Sequence, residues 1–205
     1  MNITIVDYGA GNIFSVDRAL KHLGYKTSID THGRYIGSAD LVIVPGVAAF
    51  GLGMRNLIKS GQLGAVISYL ALGQPLIGLC LGAQMLLEGS YEDASESGMS
   101  RVEGQVIALD KSMCRVPQQG WSKLEIKTGS TFAEFSDEYM YFSHSFKMEI
   151  TNPELIIGRT HYGGEGVTAL YHKENILGVQ FHPERSGEIG LNFLNTAINK
   201  ANIWT

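Results

Sequence analysis

The chain has 205 residues, 44% hydrophobic and 18% charged, with a formal net charge of −4. That length and balance suit one globular domain over residues 1–205 with a full core. A slightly negative chain with scattered Lys and Arg has no electrostatic footprint for nucleic acid, and no apolar run is long enough to span a bilayer.

Residues 1–7 are strand-like and lack the basic and long apolar parts of a secretory signal. Two cysteines, Cys80 and Cys114, make no disulfide framework, and a reactive thiol needs a reducing compartment, so the cytoplasm is expected. Residues 2–6 predict a first strand. Asn12 stands where it would cap a helix whose apolar face is Ile13, Val16, Ala19, Leu20 and Leu23. Residues 25–29 predict a second strand. Residues 41–44 predict a third, apolar throughout and so covered on both faces. A helical region runs from about Met54 to Leu72, broken near Gly61, and residues 75–77 form a buried strand. This alternation predicts an open, mostly parallel α/β sheet flanked by helices. Ligands of such sheets collect at the carboxyl ends of the strands, where residues 7–12, 45–51 and 78–84 lie.

The second half differs. Residues 91–101 are polar and partly acidic, predicting a solvated surface loop without a catalytic part. Short strand candidates follow at 104–109, 123–127, 139–142, 147–150, 155–159, 167–171 and 176–180, with little helix between them. They predict antiparallel hairpins added to the parallel core. A last helix spans about 187–200, with Leu191, Leu194 and Ile198 on one face.

The chemistry concentrates in Gly78-Leu79-Cys80-Leu81-Gly82-Ala83-Gln84. A cysteine between two glycines, after an apolar strand and before a predicted helix over 85–88, is the thiol counterpart of a nucleophile elbow. The glycines permit a sharp turn, and the helix N-terminus aims free amides at the sulfur. The competing reading is a buried apolar cysteine, since free Cys is among the most buried residue types. A thiol nucleophile needs a base and a group to orient that base. Phe181-His182-Pro183-Glu184, at the end of the last predicted strand, offers both: His182 to shuttle the proton and Glu184 to fix the tautomer. The amide of Leu81 would be one oxyanion donor. The segment from Pro45 through Gly46, Val47 and Ala48 would supply another, unless it is only a strand-to-helix turn.

Other readings are weaker. Asp7-Tyr8-Gly9-Ala10-Gly11-Asn12 begins like a dinucleotide fingerprint, but residue 14 is Phe where a third glycine is needed. The His and Cys spacings fit no metal site, so neither metal nor cofactor is expected. An esterase-like hydrolase with cysteine for serine usually needs a longer chain.

Taken together, the cysteine elbow, the 45–51 loop and Phe181-His182-Pro183-Glu184 resemble the class I (triad) glutamine amidotransferases. Asp7 through Asn12, Val116-Pro117-x-x-Gly120-Trp121 and Tyr141-Phe142-x-His144-Ser145 resemble, more narrowly, the glutaminase subunits of imidazole glycerol phosphate synthase. The glutaminases of anthranilate, carbamoyl phosphate and GMP synthesis share the elbow and the His-Pro-Glu but not these segments. The resemblance implies Cys80 as nucleophile, His182 as general base and Glu184 as its orienter. Gln84, His144, Ser145 and Phe146 would contact L-glutamine, and Asn12, Gln119 and Trp121 would face a (β/α)8-barrel synthase in a heterodimer. Three positions depart from the family pattern. Ala48 replaces a glycine in the oxyanion loop, where a Cβ would oppose an activating peptide flip. Residues 116–122 read Val-Pro-Gln-Gln-Gly-Trp-Ser rather than Val-Pro-His-Met-Gly-Trp-Asn, and the His-Ser-Tyr strand ends in Phe146. These changes leave open a paralogue serving an amidinating enzyme of nucleotide-sugar or surface-glycan synthesis, or a non-catalytic subunit of the same fold.

Overall fold

Apolar strands alternate with amphipathic helices through the first half of the computed structural model, which describes residues 1–201 and Trp204. In chain order these are β1 (Asn2–Val6), α1 (Ile13–His22), β2 (Lys26–Asp30), β3 (Leu41–Val44), α2 (Phe50–Lys59), α3 (Gln62–Ala71), β4 (Leu76–Leu79) and α4 (Leu81–Gln84). The second half contains β5 (Gly89–Ser90), β6 (Gly104–Ala108), β7 (Gln118–Lys123), β8 (Glu125–Ile126), β9 (Tyr139–His144), β10 (Phe146–Ile150), β11 (Ile156–Tyr162), β12 (Glu165–Lys173), β13 (Ile176–Val179) and α5 (Gly187–Asn199).

The main sheet has the order β2-β1-β3-β4-β13-β12-β11-β8. Its first five strands are parallel, and β12, β11 and β8 extend it antiparallel. A three-stranded sheet, β10-β6-β5, and a two-stranded ribbon, β7-β9, stand beside it. Side chains of β3 alternate between two cores. Val42 and Val44 join Phe50, Met54 and Leu57 of α2 on one face, while Leu41 and Ile43 join Val16 and Leu20 of α1 on the other. The strand is covered on both faces, as its unbroken apolar run requires. No helix among the described residues is long and apolar enough to cross a membrane.

Four differences from the sequence reading have physical causes. The helix α2 begins at Phe50, not Met54, because the Glu92 carboxylate accepts from the Phe50 amide at 2.8 Å, a cap supplied from 42 residues away. The expected helix over 85–88 does not form. The carbonyls of Met85, Leu86 and Leu87 accept instead from amides of residues 99–102, so no helical ladder continues beyond Gln84. The strand β7 was not anticipated in its polar, Gly-containing sequence; pairing with β9 creates it. The strand β13 is not only a hairpin partner of β12, for it also runs parallel to β4 and places Val179 opposite Leu79. Two smaller points concern helices. Asn12 occupies the N-cap position of α1 without a side-chain bond, and Phe193 rather than Leu191 takes the buried face of α5, stacking on Phe132 at 5.0 Å.

Candidate active site

The carboxyl ends of β1, β3, β4 and β13 meet at one point, because these strands are neighbours in the sheet. At the end of β4 the chain turns through Cys80, whose φ of 51° and ψ of −108° lie where a non-glycine residue is strained. Its amide donates to the Val179 carbonyl of β13 at 2.7 Å, so the ladder itself fixes the cysteine. The flanking glycines are required sterically. A Cβ on Gly78 would lie 2.7 Å from the Ala83 amide nitrogen, and one on Gly82 would strike the Val44 carbonyl.

Three residues past β13, His182 is buried with Glu184, their side chains 3% and 2% exposed. The Glu184 carboxylate Oε1 lies 3.0 Å from His182 Nδ1 and so accepts its hydrogen, which turns Nε2 towards Cys80. Burial opposes a charge on His182. The charge of Cys80 nearby, with the Glu184 carboxylate bonded on the other side, nevertheless pushes its pKa from 6.5 up to about 10. The Ser186 hydroxyl locks the turn, donating to the His182 carbonyl at 2.7 Å and accepting from the Tyr141 amide at 2.9 Å.

A second histidine is in the opposite state. His144 donates from Nδ1 to the Phe146 carbonyl at 2.8 Å. Burial pushes its pKa down to about 4, the Phe146 carbonyl opposing and the nearby His182 charge adding to the effect. It is therefore neutral at neutral pH. The surroundings thus push the two histidines of one site in opposite directions.

Beside them lies a cavity of about 280 Å³ lined by Cys80, Leu81, Gln84, His144, Ser145 and Phe146, with Val47 and Ala48 across from them. Gln84 reaches the Phe146 carbonyl at 3.0 Å and Gln180 Oε1 at 3.1 Å, both through Nε2. The expected oxyanion donors are engaged elsewhere. The Val47 amide donates to the Ala10 carbonyl at 2.8 Å, and the Leu81 amide to the Gly46 carbonyl at 3.4 Å. Tyr8 lies below this loop. Burial, then the charges of Cys80 and Asp7, raise its pKa out of the ordinary range, so it stays a donor to the Pro45 carbonyl at 2.6 Å.

Two residues of the site escaped the sequence reading. Glu92 lines the cavity as well as capping α2, so the 91–101 stretch is not merely a solvated loop. Glu92 is exposed, and nothing in an acidic run marks which carboxylate caps a helix 42 residues away. Gln180 is fully buried, and a signal for it existed: an amide in an otherwise apolar strand end. The expected partner-facing residues lie away from the cavity. Asn12 is half-buried at the start of α1, while Gln119 and Trp121 are exposed on β7, Trp121 packing edge-on against Tyr141 at 6.1 Å.

Comparison with known proteins agrees with this geometry. The family described as glutamine amidotransferase class-I matches residues 4–199. The imidazole glycerol phosphate synthase subunit HisH of Thermus thermophilus is 39% identical over 197 residues, 96% of either chain. That of Caldanaerobacter subterraneus is 38% identical over 194 residues, 94% of this chain and 95% of the relative. Among solved structures, a glutamine amidotransferase superposes with a TM-score of 0.77 at 18% identity, covering 98% of this chain and 99% of the other. PurLQS from Thermotoga maritima gives 0.75 at 19%, covering 97% of each. These two share the fold. Matched along nearly its whole length in sequence and in fold, the chain belongs to the class-I glutamine amidotransferases, enzymes that hydrolyse glutamine.

Proposed function

We propose that this chain is the glutaminase subunit of a two-part enzyme. It would release ammonia to a docked (β/α)8-barrel synthase that makes imidazole glycerol phosphate and AICAR in histidine biosynthesis. The observation that carries the chemistry is the meeting of Cys80, His182 and Glu184 at the ends of the adjacent strands β4 and β13. The cavity beside them is small for a ligand pocket, where volumes of about 300–1,000 Å³ are usual, which suits a single amino acid.

In this reading Cys80 Sγ attacks the side-chain amide carbon of glutamine. His182 Nε2 gives its proton to the departing nitrogen as the C–N bond breaks and ammonia leaves. Water then loses a proton to His182 and attacks the γ-glutamyl thioester, forming glutamate and restoring the thiol. Glu184 holds Nδ1–H throughout. Gln84, His144, Ser145 and Phe146 form the glutamine-binding wall, and Glu92 supplies a carboxylate for the α-ammonium. Gly46, Val47, Ala48 and Leu81 form the oxyanion loop, whose Val47 and Leu81 amides must leave Ala10 and Gly46 before they can stabilise the tetrahedral intermediate.

The occupied amides support low activity in isolation and completion of the site by a partner. Free ammonia is mostly protonated at neutral pH and is then no nucleophile, so direct transfer to a docked acceptor enzyme suits the chemistry. Asn12, Gln119 and Trp121 are the residues assigned to that contact, and the names of the relatives, subunits of a synthase, support it. A second reading, service to an amidinating enzyme of sugar or glycan synthesis, draws on Ala48 and on the Gln118–Ser122 side-chain bond at 2.9 Å, which lies in a segment that departs from the family pattern.

The test is glutamate release by the chain alone and with each candidate partner, with and without acceptor substrate. We expect a rise of roughly 5–150-fold, the usual range of allosteric coupling, with the histidine-pathway cyclase and its ribulosyl imidazole-carboxamide substrate. Full turnover by the isolated chain, unchanged by any partner, overturns the dependence. A response only to a sugar acceptor transfers the function to the second reading.

A further inference from the structure

We propose that Gln180 is a fourth catalytic side chain, a fixed hydrogen-bond donor to the Cys80 sulfur that also sets which face of Gln84 meets the substrate. The inference rests on the glutaminase reading above.

Gln180 follows β13 directly and is wholly buried. Its neighbours along the chain, Ile176, Leu177, Val179 and Phe181, are apolar core residues. A carboxamide in such a place is costly to bury unless bonded, and an aliphatic residue would pack there without that cost. Both side-chain bonds of Gln180 run to the active site. Its Nε2 donates to Cys80 Sγ at 3.6 Å, a normal length for sulfur, and its Oε1 accepts from Gln84 Nε2 at 3.1 Å. Gln84 Nε2 also donates to the Phe146 carbonyl, so both its hydrogens are committed. What Gln84 has left for the cavity is Oε1, an acceptor suited to the N–H groups of a substrate carboxamide.

Gln180, which donates to the sulfur, and His182 beside it have different duties. His182 moves its proton during turnover. The Gln180 amide keeps its hydrogens at any pH the protein survives, so it marks the sulfur permanently as a place for negative charge. Negative charge leaves the sulfur when the C–S bond forms and returns when that bond breaks in hydrolysis of the thioester. A donor at this position favours the attacking thiolate and steadies it again as the leaving group.

A chloroketone analogue of glutamine tests this on the full chain. In its reaction the Cys80 thiolate displaces chloride and forms a C–S bond, and the rate saturates, separating affinity from the bond-forming step. Gln180→Glu keeps the acceptor towards Gln84 and, when ionised, replaces the N–H donor by a negative charge that opposes the thiolate. We expect its limiting inactivation rate to fall about 10–100-fold, the range for a hydrogen bond to a charged group, with the half-saturating concentration little changed. Gln180→Met removes both bonds, so both parameters should worsen. Circular dichroism and the iodoacetamide rate of Cys114 report folding in each variant. If folded Gln180→Glu or Gln180→Met keeps a wild-type limiting rate, or only affinity changes, Gln180 is a packing residue and the proposal fails. If the wild type is labelled no faster at Cys80 than at Cys114, it is the glutaminase reading that fails, whatever Gln180 does.

Discussion

The two walls of the cavity are built in different ways. One presents Cys80 to the cavity, backed by Gln180, His182 and Glu184, and hangs from the ends of β4 and β13, whose parallel ladder pairs Val179 with Leu79 and ties the Cys80 amide to Val179. The other consists of Val47, Ala48, Glu92 and Pro117, carried by three separate connections; Glu92 accepts from the Phe50 amide at the start of α2, and the Val47 amide donates to the Ala10 carbonyl. A ladder has one register and holds its side chains in one geometry. The loop contacts here occupy the amides of Val47 and Leu81. In the proposed reading the nucleophile and proton carrier are thus in place, while anion stabilisation waits on the release of those amides.

Damage to the fixed wall should be the most severe. His182→Asn should cost roughly 10²–10⁴-fold in glutamate release by the partnered enzyme, the range for a positioned acid–base group. Glu184→Gln keeps an acceptor for Nδ1–H but loses its charge, and should cost roughly 10–100-fold. A loss equal to that of His182→Asn would give Glu184 a part beyond orienting the ring. The same substitutions have a signature in stability. The folded pKa of His182 is raised, so its charged contacts stabilise the fold fully below its ordinary pKa of 6.5, and that stability is lost as pH rises through about 10. Thermal melts of the wild type should therefore decline over that window relative to His182→Asn, and parallel melts would contradict the raised pKa.

The sequence discloses the ladder-borne wall far better than the loop-borne one, for a physical reason. Cys80 between its glycines and His182-Pro183-Glu184 are local patterns, and the strands carrying them are short apolar runs whose period needs no partner to be read. The parallel pairing of β4 with β13, which joins the two motifs, is not local, and residues 176–180 read equally well as a hairpin strand. The loop-borne wall depends on distance throughout. The start of α2 is set by Glu92, the end of α4 by amides of residues 99–102, and the strand character of β7 by β9. None of these leaves a mark within its own segment. Gln180 lies between the two cases: its polarity in an apolar run is visible, but its target is known only from the fold.

Glu92 allows the loop wall to be probed without collapsing it. Gln at 92 still offers an oxygen to the Phe50 amide, so α2 should start in the same place, while the charge facing the cavity is gone. We expect KM for glutamine to rise roughly tenfold, one hydrogen bond to a charged group, with kcat nearly unchanged. Glu92→Ala should add a loss of about 0.5–2 kcal/mol in stability, the usual cost of removing a helix cap. If Glu92→Gln alters neither KM nor kcat, the carboxylate is only a cap and the α-ammonium is held elsewhere.

The smallest and most telling effect is expected at Ala48. The Val47 amide belongs to the Gly46–Val47 peptide; where its release also turns the next peptide, Val47–Ala48, Ala48 is carried towards positive φ. Ala48 is not among the residues now in that region, so its Cβ raises only the turned state, by roughly 1–2 kcal/mol. Ala48→Gly should then raise glutamate release by the isolated chain about fivefold or more. It should shrink stimulation by the partner in the same proportion, because the partnered enzyme already sits in the turned state. The contrast with Gly46 locates the hinge. A Cβ there would lie 2.7 Å from the Leu81 Cβ, so Gly46→Ala should distort the loop in either state and depress activity with and without partner. If Ala48→Gly leaves basal release unchanged, the turn is confined to the Gly46–Val47 peptide, whose rotation alters ψ of Gly46 and φ of Val47 but neither angle of Ala48.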